Sequence, residues 1–112
     1  MSKLDEKVGK YIDHIKDKLG MEPDVDLLRK VTKAIGPSIY NRDAETVAVK
    51  DEGEMKTVKN FALNKLGMDD NEDTHARVQK VADMYAEKAR TKNRAVMYYL
   101  LVKEFGKEDV YG

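Results

Sequence analysis

The sequence contains no cysteine. Disulfide frameworks, zinc-thiolate sites and thiol nucleophiles are therefore excluded, and the chain is compatible with a reducing compartment. Nor is there an excess of either charge. Lys and Arg number 21, Asp and Glu number 21, and the formal net charge is zero. A dedicated nucleic-acid coat draws its affinity from surplus positive charge, so this balance argues against one while leaving room for a local basic patch. No apolar run is long enough to span a bilayer. The first twenty residues carry Asp5, Glu6, Asp13 and Asp17, which interrupt the apolar stretch that a secretory signal requires. The expectation is a soluble, cytoplasmic protein with no membrane segment.

Catalytic signatures are also missing. There is no Gly-rich phosphate loop, no Gly-x-Ser-x-Gly elbow and no His-Glu-x-x-His pair. The only imidazoles, His14 and His75, are far apart in sequence and are expected at helix ends or on the surface. No cofactor and no metal site is expected. The acidic run Asp69-Asp70-Asn71-Glu72-Asp73 places Asp69, Asn71 and Asp73 at the alternating positions that open an EF-hand loop. Thr74 then stands where the sharp turn needs Gly, and Lys80 where the bidentate Glu belongs. The run fits a solvated loop leading into a helix, where acidic residues suit the positive end of the dipole.

What is present is helical punctuation. The 112 residues fit one domain, residues 1–112, and the 41% of them that are hydrophobic can build a single core. Charged residues make up 38%, as solvated helix faces would require. Ser2 and Asp5 resemble a capping box, Leu4, Val8, Tyr11, Ile12, Ile15 and Leu19 recur at helical spacing, and Gly20 is a stop. This predicts a helix over 3–19. Asp24 or Asp26 can cap a second, with Leu27, Leu28, Val31, Ala34 and Ile35 on its apolar face and Gly36-Pro37 at its end. Asp51 and Glu54 open another, carrying Met55, Val58, Phe61, Ala62 and Leu66 to Gly67. A further helix follows the acidic loop with Val78, Val81, Ala82, Tyr85 and Ala89. Thr91 is a suitable cap for the last, whose run from Ala95 to Val102 is apolar nearly all round and so belongs at the centre of the domain.

Between the second and third of these, residues 38–50 are the least regular. Asp43 could cap a short helix through Ala44, Val47 and Ala48, and Val47-Ala48-Val49 could instead be extended. The short helix is favoured, because no second strand candidate exists to pair with it. Residues 107–112 are expected as a short, loosely ordered tail. The architecture predicted is all-α: a compact bundle of five to six helices around the apolar helix at 92–105.

Two segments echo one another. Lys18-Leu19-Gly20-Met21-Glu22 matches Lys65-Leu66-Gly67-Met68-Asp69, and the alignment extends backward through Val8 and Met55 and forward through Asp26 and Asp73. Two pseudo-repeated helical hairpins would produce this, and so would two ordinary helix C-caps.

Three places could bind something. Lys88, Arg90, Lys92 and Arg94 cluster at the junction of two helices, and a helix start flanked by Arg and Lys is a competent anion or nucleic-acid site. Tyr40, Asn41, Arg42 and Asp43 follow a Gly-Pro turn and could line a polar pocket. Residues 27–48 can be drawn as a helix-turn-helix, but Asp43 and Glu45 beside Arg42 would repel phosphates where contacts are needed. The six tyrosines are expected to pack rings in the core with hydroxyls at the rim.

Taken together, Val31-Thr32-Lys33-Ala34-Ile35-Gly36-Pro37-Ser38-Ile39-Tyr40, Val58-Lys59-Asn60-Phe61 with Lys65-Leu66-Gly67, and Asn93 to Leu101 resemble a small bacterial family catalogued as a domain of unknown function, DUF2853. The resemblance spans nearly the whole chain. It implies a compact helical bacterial protein, usually standing alone, and no activity or functional residue. The leading expectation is a non-enzymatic interaction or structural module of the bacterial cytosol with an unidentified protein partner. The alternative is a nucleic-acid or anion-binding protein using residues 88–94. A monomer or a homodimer is compatible, the latter if the last helix keeps an apolar face exposed.

Overall fold

Capping side chains set most of the helix starts. In the computed structural model, which describes residues 2–112, α1 (Lys3–His14) begins where Ser2 Oγ accepts the Asp5 backbone N–H at 3.1 Å. Asp24, rather than Asp26, caps α2 (Val25–Ile35) through the Leu27 N–H. After a 3-10 turn (Gly36–Tyr40), Asn41 caps the four-residue α3 (Arg42–Glu45). Asp51 caps α4 (Glu52–Asn60), and Asn71 caps α5 (Glu72–Lys88). The central helix α6 (Arg94–Phe105) follows Asn93 and ends at Gly106, whose φ of 64° is the left-handed stop.

The predicted all-α architecture is the one observed, with six α-helices and no β-strand among the described residues. α6 packs chiefly against α2 and α5, and Ala95 to Val102 are all buried. Tyr11, Ile15, Leu28, Val31, Val58, Ala62, Val78, Ala82 and Tyr85 close around it in one apolar cluster. The Cα radius of gyration, 13.0 Å, is that of a tightly packed chain of this length.

The echo has a structural counterpart. Both α1 and α4 run on into a π turn, Ile15–Leu19 and Phe61–Lys65. Each is closed by a left-handed glycine, Gly20 at φ 63° and Gly67 at φ 69°. In each, the following Met N–H reaches six residues back, Met21 to Ile15 and Met68 to Ala62. The caps of the second helices, Asp24 and Asn71, then bond the N–H of the third residue on, Leu27 and Thr74. α2 and α5, the two helices that flank α6, are thus the second members of two matching hairpins.

Three expectations are corrected. The short helix lies earlier than predicted, over Arg42–Glu45 with Asn41 and not Asp43 as its cap, and residues 46–49 are not helical. Thr46 forms an isolated antiparallel bridge with Asn93, and the Val47 N–H donates to Lys92 O at 2.8 Å. The missing partner is a single turn of chain before α6, not a strand. For the same reason Thr91 does not cap α6, which starts beyond the bridge. Finally, the tail is wound into a 3-10 turn (Glu108–Tyr111) against α2, with the half-buried Tyr111 ring packed on the core.

Candidate functional site

One polar cluster sits where the helical pattern calls for apolar packing. Lys7, Lys10, Tyr11 and His14 fall at i, i+3, i+4 and i+7 of α1 and so share one face. That face meets Glu45 of α3 and Tyr85 of α5. Glu45, the last residue of α3, is only 7% exposed. Its Oε2 accepts from the Tyr11 hydroxyl at 2.6 Å, Lys7 Nζ at 2.9 Å and Lys10 Nζ at 3.1 Å. A carboxylate buried this far must be paired and hydrogen-bonded, and three charge-assisted or short bonds do both.

Burial by itself would push the Glu45 carboxyl up. The hydrogen bonds from Tyr11, Lys7 and Lys10 outweigh it and hold the group below the ordinary glutamate value. Burial, reinforced by the bond to Glu45 and its charge, pushes the Tyr11 hydroxyl well above the ordinary tyrosine value. Glu45 is therefore a fixed anion and Tyr11 a fixed donor.

A second chain of bonds continues inward. The Tyr85 hydroxyl accepts the Asn93 backbone N–H at 2.9 Å and lies 2.7 Å from His14 Nε2. Burial, followed by the charges of Lys18 and Lys10, holds His14 below its ordinary value, which favours the neutral imidazole against the Tyr85 hydroxyl. Burial likewise raises the Tyr85 hydroxyl. Asn93 is 2% exposed, and its Oδ1 has no hydrogen-bond partner among the described residues.

Above Glu45 the surface opens into a groove of about 390 Å³ lined by Lys3, Glu6, Lys7, Lys10 and Tyr40. Tyr40 is 46% exposed and also borders a smaller depression, about 230 Å³, that runs along Leu4, Thr32 and Gly36-Pro37 to Ile39. The α1 wall of the first groove carries three ammonium groups, Lys3, Lys7 and Lys10, beside one exposed carboxylate, Glu6. Because a single buried carboxylate anchors two of the three, Lys7 and Lys10 are held in place while the groove keeps a positive balance. Elsewhere, a depression of about 480 Å³ between residues 49–52, α4 and Gln79 sets Lys50, Lys56 and Lys59 against Asp51 and Glu52.

The sequence-predicted residues are dispersed by comparison. Of Tyr40, Asn41, Arg42 and Asp43, Tyr40 enters the groove, Asn41 is spent capping α3, and Arg42 and Asp43 are exposed in the first turn of α3. Of the basic junction, Lys88 and Arg90 are exposed. Lys92 Nζ bonds the Arg90 carbonyl at 2.7 Å. Arg94 is turned inward: Nε donates to Ala44 O at 2.8 Å, and Nη2 to Glu54 Oε2 at 2.9 Å and Thr46 O at 3.5 Å. Its guanidinium ties α3 and the bridge segment to α6 and α4. In the acidic loop, Asn71 Oδ1 caps α5 and Asp70 takes His75 Nε2 at 2.6 Å. Lys7 and Lys10 were not singled out from sequence; Tyr11 was read only as a core ring and Glu45 only as an acidic group beside Arg42. The available signal was two lysines one and four residues before a tyrosine of the buried stripe.

These features define a class: a small helical bundle with no β-strand among its described residues and a clamped carboxylate beneath a basic surface groove. The family model for proteins of unknown function DUF2853 matches residues 10–109, and the chain belongs to that family. No functionally curated protein matches it in sequence. No helix among the described residues is long and apolar enough to cross a membrane.

Proposed function

We propose that this chain is a non-enzymatic interaction module of the bacterial cytosol, and that its α1–Tyr40 groove docks an acidic segment of a partner protein. The observation that carries the reading is the Glu45 clamp. It orders Lys7 and Lys10 in advance of binding, which reduces the side-chain entropy lost when an anionic partner arrives. The exposed Tyr40 ring supplies an aromatic contact of the kind enriched at interface centres. The same cluster is unsuited to proton transfer, because its two buried hydroxyls hold their protons.

The alternative is binding of nucleic acid or another anion at residues 88–94. In its favour are the two exposed cations Lys88 and Arg90. Arg94 is committed to Glu54, Ala44 O and Thr46 O, so this reading falls on Lys88, Arg90 and Lys92 alone.

A tagged pull-down from bacterial lysate, with and without nuclease and at low and high salt, tests the choice when wild type is compared with Lys3→Glu and Tyr40→Ala. The reading predicts a nuclease-resistant protein partner lost in both variants. Capture unaffected by both variants, or lost on nuclease treatment and in Arg90→Glu, would move the interaction to the basic junction.

A further inference from the structure

On another face, the C-terminal 3-10 turn closes an aromatic pocket that the α1 reading does not use. Its walls are Ala34 and Ile35 of α2, Phe61 and Lys65 of the π turn, Tyr98 of α6 and Tyr111. Phe61 and Tyr98 are stacked with centroids 3.9 Å apart and planes 8° apart. The Tyr98 hydroxyl accepts from Arg94 Nη1 at 3.3 Å, which fixes the ring from its far end. Tyr111 forms the outer wall, and Lys65 Nζ stands 5.1 Å from the centroid of its ring. Among the described residues Lys65 forms no ion pair.

Size, lining and charge converge on one kind of ligand. The pocket is open to solvent on one side and holds about 170 Å³, close to the roughly 150 Å³ in which an enclosed apolar cavity takes up a benzene ring. The lining is aliphatic and aromatic apart from the ammonium at its mouth. We propose that this pocket binds a monocyclic aromatic carboxylate, with the ring between Tyr111 and the Phe61–Tyr98 stack and the carboxylate on Lys65. The tail turn acts as one wall of the site, so binding orders it further.

The test is an NMR titration of the full chain with benzoate, and with benzyl alcohol as the neutral counterpart. Benzoate is expected to give saturable shifts of the Phe61, Tyr98 and Tyr111 ring signals, with a dissociation constant on the order of 1 mM for so small a probe. Lys65→Gln, an exposed and conservative change, should weaken benzoate about fivefold and leave benzyl alcohol unchanged. Tyr111→Ala should weaken both. Absence of saturation by about 10 mM, equal loss of the two probes in Lys65→Gln, or unchanged affinity in Tyr111→Ala would each overturn the assignment. None of these variants touches Lys3, Lys7, Lys10 or Tyr40, so the result is independent of the docking reading.

Discussion

At the scale of single residues, Glu45 is the position whose chemistry is most constrained. Neutralising it leaves Lys7 and Lys10 without their shared counter-charge and gives Tyr11 a weaker acceptor in a buried place. Glu45→Gln should destabilise the fold by roughly 1–3 kcal/mol, measured by urea unfolding. The ammonium groups can swing out to water, which keeps the loss below that of an unpaired charge trapped in a core. His14 makes a pH prediction. Its folded value lies below its ordinary 6.5, so between the two the unfolded chain binds more protons than the folded one. The stability it contributes is therefore complete above about pH 6.5 and is lost as pH falls toward the lowered folded value. His14→Gln should flatten this part of a series of urea unfolding curves taken at stepped pH. Tyr11 and Tyr85 were legible in the sequence as core rings. The hydroxyl partners were not, because Glu45, His14 and Asn93 reach them only after the chain has closed on itself.

Among the elements, the two glycine stops carry matching roles. Gly20 and Gly67 sit at φ 63° and 69°, and a Cβ at either would meet nothing within 4 Å. The cost of substitution is then that of the left-handed backbone alone. Gly20→Ala and Gly67→Ala should each lose about 1–2 kcal/mol, and by similar amounts, in thermal or urea unfolding. α3 depends on tertiary contacts instead. Four residues cannot sustain a helix, and Arg94 supplies the bonds to Ala44 O and Thr46 O that hold it. Lys at that position cannot reproduce the planar fork. Arg94→Lys should accelerate amide hydrogen exchange in residues 42–50 well before it does so in α6.

These two cases also divide what could be read in advance from what could not. Ser2, Asp24, Asp51, Gly20, Gly67 and Gly106 act on residues within a few positions of themselves, so each was visible as local pattern. The start of α6 is set by the Tyr85 hydroxyl on the Asn93 N–H and by the bridge to Thr46. Those partners are distant in sequence, and Thr91, the better cap by residue type, loses to them. Likewise Arg94 had the composition of an anion site and the position of a structural tie.

For the molecule as a whole, burial of α6 on all sides governs where partners can bind. The sequence left monomer and homodimer open, the latter on condition of an exposed apolar face on α6; Ala95 to Val102 are buried, so that condition is not met. At the periphery, α1 and the 36–40 turn bring Lys3, Lys7, Lys10 and Tyr40 together, and the proposed recognition surface is there. The Glu45 clamp, legible only in three dimensions, lies directly behind it and joins the stability of the bundle to the shape of its basic groove. Site-specific photocrosslinking in living bacteria, with p-benzoylphenylalanine placed at position 40 or at position 90, tests this most directly. The account predicts a discrete protein adduct from position 40 that disappears with Lys3→Glu, and none from position 90. Adducts from position 90 alone would contradict it.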